Sequence, residues 1–224
     1  MKKKQLALRM VYKGLSGVAL LGALLFVSAG SFRYFYGWLF IAVLTALMLA
    51  MGVFLLIKNP RMLESRLNAN ETQSAQKGYL ALFGLLFVGC FLLAGLDYRL
   101  QWSTLPFGAA IAAIITMVIG YALYAAVILQ NAYASRVIAV QANQRVVSTG
   151  LYAAVRHPMY LSTLLLFLSM PIALGSVVAL IPMLAYPFVI ALRIKNEEAM
   201  LLQELDGYAA YMERVKYRLI PYIW

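Results

Sequence analysis

The residues able to do chemistry gather in two stretches of the carboxyl-terminal half. In the first, Val146 to Tyr160 (VVSTGLYAAVRHPMY), the single histidine of the chain, His157, stands between Arg156 and Pro158. A residue before proline is biased to an extended backbone, and proline suits the first turn of a helix, so a helix is predicted to begin at Pro158. An imidazole and a guanidinium then sit at a helix amino terminus, where unpaired N–H groups and the dipole favour an anion such as a carboxylate or phosphate. The same pair would serve equally as interfacial groups against lipid headgroups. In the second stretch Arg193 and Glu197 are four apart, with Glu198 adjacent. On a continuous helix the arginine and the first glutamate share a face, either as a site that holds opposite charges together or as an exposed ion pair worth only ~0.3–0.5 kcal/mol. Tyr152, Tyr160, Tyr208 and Tyr211 offer faces for a flat ring, and tyrosine is also the residue type of membrane interfaces. Gly150 relieves a turn or admits a ligand close to the backbone.

What must position these groups is an apolar chain. With 64% hydrophobic content over 224 residues and a mean hydropathy of +0.82, there is too little polar surface for a soluble domain. The fold class is all-α, a polytopic transmembrane bundle. An excess of 19 basic over 8 acidic residues would suggest nucleic acid in a soluble protein. In a membrane protein it marks loops that face the cytoplasm and its anionic lipids, so no nucleic-acid partner is expected. The lone Cys90 excludes an internal disulfide and a cysteine cluster for zinc, and no metal is expected.

In chain order, five basic residues precede an apolar run from Gly14 to Gly30. At 17 residues the run is longer than the ~7–15 of a signal-peptide core, which favours a retained first span, although Val27-Ser28-Ala29 resembles a cleavage site. Further spans are expected at Gly37 to Ile57, Gly78 to Leu96 and Leu105 to Leu129. Between the second and third lies a polar segment, Lys58 to Lys77, with Asn59-Pro60 at its start, read as a loop with a short surface helix. After a polar connection from Gln130 to His157, the stretch Pro158 to Leu192 holds no charge. As one helix it would be ~50 Å long against a hydrocarbon core of ~30 Å. It is therefore expected to turn back at Pro171, Gly175 and Pro182 as a hairpin of about Pro158 to Met170 and Ser176 to Leu192. A helical tail from Arg193 follows, with an apolar face of Leu201, Leu205, Tyr208, Met212 and Val215 interrupted at Asp206-Gly207. With the amino terminus inside, only Arg33 and Arg99 of the 19 basic residues fall in outer loops, a positive-inside pattern that puts both chemical stretches on the cytoplasmic face. Two regions result: residues 1–129 with the four spans, and residues 130–224 with the hairpin, the tail and the candidate site.

The pattern Gly150-x-Tyr152-x-x-x-Arg156-His157-Pro158-x-Tyr160, a helical hairpin, then Arg193-x-x-x-Glu197-Glu198 and a Gly-Tyr-x-x-Tyr tail resembles the isoprenylcysteine carboxyl methyltransferase family in its bacterial-type members. The resemblance covers about Gln141 to Trp224. It implies a membrane-embedded methyltransferase that binds S-adenosylmethionine on the cytoplasmic side. It further implies that Gln144, Val146, Val147, Gly150, Tyr152, Arg156, His157, Pro158 and Tyr160 line the cofactor pocket, that Glu197 and Glu198 close it, and that Arg193 faces the methyl acceptor. Were that acceptor an amine or a phenol, a proton would have to leave, and Glu197 and His157 are the candidate bases. The bilayer and a lipophilic acceptor are the implied partners, the acceptor most simply a carboxylate of isoprenylcysteine type.

Other readings stay open at this point. The acceptor could be a phospholipid amine or another isoprenoid-like molecule. A nicotinamide-dependent membrane reductase shares a similar carboxyl-terminal architecture, but would need basic residues for a 2′-phosphate, and no such cluster stands near His157. A non-catalytic membrane protein would use the tail for assembly.

Overall fold

The computed structural model describes residues 3–68, 74–131, 133 and 144–224, and of 74–77 the helical backbone alone. Glu71, Arg136 and the start of the resemblance at Gln141 lie outside the described residues. Every regular element among them is a helix. Four are long: α1 (Lys3–Ala29), α2 (Phe35–Lys58), α4 (Ser74–Leu100) and α5 (Phe107–Gln130), with the short α3 (Pro60–Leu67) after α2. At 24 and 27 residues they run ~36–40 Å, enough to cross a ~30 Å hydrocarbon core. By length and composition, all four can span a membrane. This is a multi-pass membrane architecture.

Close backbone approach holds the long helices together. A Cβ on Gly95 of α4 would come within 2.6 Å of the Leu25 carbonyl and 2.9 Å of the Ala29 nitrogen of α1. Small residues at such crossings are the usual device where lipid removes the hydrophobic drive between helices. The basic amino-terminal turns of α1 sit beside α3, where Arg9 donates to Asn68 at 2.7 Å and Lys13 to the Leu67 carbonyl at 2.5 Å. Arg99 packs against Gly30 at the opposite end of α1. α3 starts as the sequence suggests, with Pro60 at its first turn and the Asn59 side chain accepting from the Met62 N–H at 3.2 Å. Its Leu63 is buried against Leu6, Leu55 and Ile128.

The apolar stretch after His157 forms α7 (Pro158–Ala173), α8 (Leu180–Met183) and the first half of α9 (Tyr186–Glu204), with the four-residue α6 (Leu151–Ala154) before it. Pro171 does not break α7, as expected above, but lies within it. The stop comes at Gly175, whose φ of 74° takes the left-handed conformation that lets Ser176 N–H reach the Pro171 carbonyl at 3.0 Å and Gly175 N–H the Ile172 carbonyl at 2.9 Å, the Schellman pattern. At this turn buried Asp97 of α4 accepts from the Ser103 N–H at 2.7 Å and from the Ser103 and Ser176 hydroxyls, each at 2.5 Å. Tyr34 donates to the Leu174 carbonyl at 2.5 Å. The end of the bundle away from the tail is thus closed by polar bonds.

α5 packs along α7, so closely at Gly120 that a Cβ would lie 3.0 Å from the Leu166 nitrogen. In mid-bundle an aromatic stack crosses from α4 to α7 and α9, with ring centroids 5.2 Å apart for Phe83 and Tyr186, 5.1 Å for Phe167 and Tyr186 and 4.6 Å for Phe87 and Phe167. α9 ends at Glu204, Gly207 turns the chain at φ 81°, and α10 (Tyr208–Arg214) follows. This is the interruption expected at Asp206-Gly207.

Candidate active site

His157 has the extended φ of −125° that a following proline imposes, and α7 starts at Pro158. The anion that an amino terminus of this kind favours is supplied by the protein itself. Glu198, 3% exposed, places Oε1 at 2.7 Å from Arg156 Nε and 3.1 Å from His157 Nε2, and Oε2 at 2.7 Å from Arg218 Nε. Burial opposes ionisation of this carboxyl, but the hydrogen bonds from His157, Arg156 and Arg218 outweigh it and hold its pKa down at about 2. The tail closes over the same spot. Arg156 also donates to the Val215 and Lys216 carbonyls at 2.7 and 2.9 Å, and the Arg156 and His157 N–H groups donate to the Tyr217 and Arg218 carbonyls at 2.9 and 2.8 Å.

On the other side of this knot lies an open cleft. Of the residues expected at a cofactor, Gln144, Val146, Val147, Tyr152, Arg156, His157, Tyr160 and Glu197 line it, with Tyr208 and Tyr211 from α10. Gly150, Pro158 and Glu198 are not among its lining residues. Gly150 serves a turn: at φ 60° it takes a conformation that L side chains rarely adopt, and a Cβ there would meet the Gln130 side chain at 2.6 Å. Pro158 is spent on starting α7. Glu197 faces the cleft, whereas Glu198, the next residue of α9, is turned to Arg156, His157 and Arg218. Met200 and Leu201, three and four residues on, share the cleft with Glu197. Asn131, Tyr133, Arg145, Met159 and Met200 also line the cleft without having been expected at it, as do Leu201 and Leu205, which the sequence marked only as an apolar face. The apolar face Leu201, Leu205, Tyr208 was the signal that could have found part of this wall.

Tyr152, Tyr208 and Tyr211 in the cleft wall are held neutral. Burial, with the negative charges of Glu198 and Glu197 adding to it, raises the Tyr208 pKa well above its ordinary value. Burial likewise raises those of Tyr211 and Tyr152. Tyr211 donates to the Tyr152 carbonyl at 2.7 Å, and Asn131 Nδ2 donates to the Tyr152 hydroxyl at 3.0 Å. The Tyr208 hydroxyl is buried and has no hydrogen-bond partner among the described residues. A buried orphan O–H costs roughly 1–3 kcal/mol, which a bound acceptor would offset.

Arg193, 6% exposed, is absent from this cleft. It borders a second, larger and open space lined by apolar side chains of α1, α2, α3, α4, α5, α7 and α9. Arg193 Nε donates to the Tyr160 hydroxyl at 3.0 Å, and Tyr160 donates to Glu197 Oε2 at 2.6 Å. Both Met159 and Tyr160 line the cleft as well as the apolar chamber. The polar and the apolar space therefore meet at one wall.

Residues 112–203 match the model of the Isoprenylcysteine carboxyl methyltransferase (ICMT) family. This is a family of membrane methyltransferases. No curated protein matches the chain. The ICMT match begins inside α5, the helix packed against α7, and contains Arg156, His157, Tyr160, Arg193, Glu197 and Glu198. α1 to α4 fall outside it, as do Tyr208, Tyr211 and the 215–218 segment that clamps Arg156.

Proposed function

We propose that the chain is an integral membrane methyltransferase that moves the methyl group of S-adenosylmethionine to a lipophilic acceptor, a carboxylate of isoprenylcysteine type. The observation that carries this is the shared wall. A polar cleft and an apolar chamber, each suited to one of two very unlike substrates, abut at Met159 and Tyr160.

The cleft's donor set fits the cofactor. Glu197 offers a carboxylate to an ammonium or sulfonium, and Tyr152, Tyr208 and Tyr211 offer rings to a cation or a flat base. Gln144 and Arg145 offer an amide and a guanidinium, and the Tyr208 hydroxyl awaits an acceptor. When bound, S-adenosylmethionine supplies an electrophilic methyl group whose transfer returns the bonding electron pair to sulfur. Arg193 orients the acceptor: a guanidinium at the border of an apolar space binds a carboxylate by paired N–H donors, and Tyr160 fixes its position. A carboxylate is already a nucleophile, so these side chains need remove no proton and act by holding the partners in line. Were the acceptor an amine or a hydroxyl, Glu197 would be the candidate base, with His157 already engaged by Glu198. The positive-inside charge distribution supports a cytoplasmic cleft, and Met48 and Leu80, exposed in the chamber wall, give the acceptor an entrance from the bilayer.

Calorimetric titration of the detergent-purified protein with S-adenosylmethionine and, separately, NADPH tests this reading. Saturable binding of S-adenosylmethionine is expected, retained in Arg193→Ala while methyl transfer falls by at least about 100-fold. Binding of NADPH alone would replace the methyltransferase by a reductase, and binding of neither would leave a non-catalytic membrane protein.

A further inference from the structure

The strap that clamps Arg156 runs straight into a loop of a different character. Residues 219–224 (LIPYIW) carry no charge, in a tail that is otherwise rich in it. The loop closes on itself: the Leu219 and Ile220 N–H groups donate to the Trp224 backbone oxygen at 2.9 and 3.1 Å, and the Trp224 N–H returns to the Ile220 carbonyl at 3.1 Å. One side is rooted in the protein. Leu219 is buried in the core shared by the long helices, Trp224 packs against that core, and the Arg218 guanidinium lies over the Trp224 ring, 5.4 Å from its centroid. The other side faces outward, with Tyr222 89% exposed and Ile223 76%. Tyr222 is held there at a φ of 66°, a left-handed conformation that non-glycine residues adopt at a cost. Water gives nothing in return for presenting two large apolar side chains on such a turn, whereas a lipid interface does. From Arg214 onward every charge is basic: Arg214 and Lys216 are exposed, and Arg218 is half-buried against Glu198.

We propose that residues 219–224 dock onto the bilayer surface on the cleft's side, with Tyr222 and Ile223 among the headgroups and Arg214 and Lys216 against anionic lipid, and that this contact secures the clamp on Arg156 and His157. A protein partner would also cover an apolar turn, but Leu219 and Trp224 fix this one to the same core as the helices long enough to span the membrane, within reach of the bilayer those helices cross. An aromatic and an aliphatic side chain preceded by exposed basic residues suit an anionic interface. The carbonyls that hold Arg156 and His157 belong to Val215, Lys216, Tyr217 and Arg218, the four residues before the loop, so lipid that holds the loop limits how far the strap can lift. The lipid contact stands apart from the methyltransferase reading. Only its effect on the cofactor rests on that reading, because Arg156 and His157 line the cleft.

The test attaches a bimane fluorophore at Ile223→Cys and, for reference, at Asp206→Cys in the turn before α10, both exposed positions, with Cys90 buried and out of its reach. The protein is held in nanodiscs of phosphatidylcholine with and without phosphatidylglycerol. Lipid-borne nitroxide is expected to quench the Ile223 label at least about twofold more strongly than the Asp206 label, and iodide to do the reverse. The contrast should grow with phosphatidylglycerol and shrink in Lys216→Gln. Iodide quenching at Ile223 equal to that at Asp206 overturns the docking, and protection from both quenchers puts a protein partner in place of the bilayer. A contrast indifferent to phosphatidylglycerol overturns the anionic assignment. In unlabelled Ile223→Asp, and in Tyr222→Ser as a second variant, the amides of Arg156 and His157 should exchange hydrogen at least about threefold faster than in wild type in the same discs. Unchanged exchange in both variants overturns the link to the clamp. S-adenosylmethionine titrated on these samples should bind more weakly to Ile223→Asp than to wild type. Failure to bind wild type would sink the methyltransferase while the quenching and exchange results still decide the docking.

Discussion

Replacing Glu198 by Gln should loosen the clamp between α7, α9 and the tail at a residue that does not itself line the cleft. The carboxylate serves three donors at 2.7, 3.1 and 2.7 Å, and folding lowers its pKa from 4.5 to about 2. A difference of about 2.5 units at ~1.36 kcal/mol each means that the ionised form stabilises the fold by about 3 kcal/mol at neutral pH. A glutamine offers one neutral acceptor and leaves Arg156, 6% exposed, without its counter-charge, a loss of the same order. Because the folded pKa is the depressed one, this stabilisation is complete above about pH 4.5 and is lost as pH falls through about 2. For a chain of this size about 3 kcal/mol corresponds to a melting temperature lowered by roughly 6–12 °C. Thermal unfolding in detergent at pH 7 measures it directly, with S-adenosylmethionine titrated on the folded variant. The clamp is refuted by a shift under about 2 °C, or by a variant of normal melting temperature whose cofactor affinity collapses, which would return Glu198 to the cofactor.

Other perturbations separate the parts of the site. Tyr208→Phe removes the orphan hydroxyl, so the apo protein should melt no lower than wild type while S-adenosylmethionine binding weakens by about 1–2 kcal/mol in calorimetry. Tyr160→Phe removes the bridge between Arg193 and Glu197; in steady-state kinetics it should lower kcat more than it raises the cofactor KM. Asp97→Ala leaves the Ser103 and Ser176 hydroxyls without their acceptor at the far end of the bundle and should lower the melting temperature with the cofactor affinity of the folded fraction unchanged.

Much of the fold was legible because its signals are local. Long apolar runs give α1, α2, α4 and α5, Asn59-Pro60 starts α3, the proline after His157 starts α7, and Gly207 turns the chain between the tail's two helices. Pro171 misled, because it lies inside α7 and the stop comes from Gly175 in its left-handed conformation. In the site, the residue types named from sequence do gather, with Gln144, Val146, Val147, Tyr152, His157, Tyr160 and Glu197 round one cleft. What could not be read was the division of labour. Glu198 faces Arg156 and Arg218, and the carbonyls of 215–218 complete the clamp. Those pairs are 20 to 60 positions apart in the chain, and no periodicity records them. Arg193 and Glu197, four apart on α9, still serve different spaces, since one lines the chamber and the other the cleft, with Tyr160 between them.

The aromatic stack has a consequence for what the chamber can hold. Phe83, Phe167 and Tyr186 line the chamber, with Phe87 packed behind Phe167, and Phe167 stands seven residues along α7 from Tyr160, a descent of ~10 Å. Rigid rings at that depth act as a ruler: a tail that fits above them stays inside the protein while its polar end is at Arg193, and a longer one has to turn sideways between the helices into the surrounding lipid. If the chamber holds the acceptor of the proposed methyltransferase, chain length is written into the bundle, and the gauge mark is a phenylalanine ~10 Å from Tyr160.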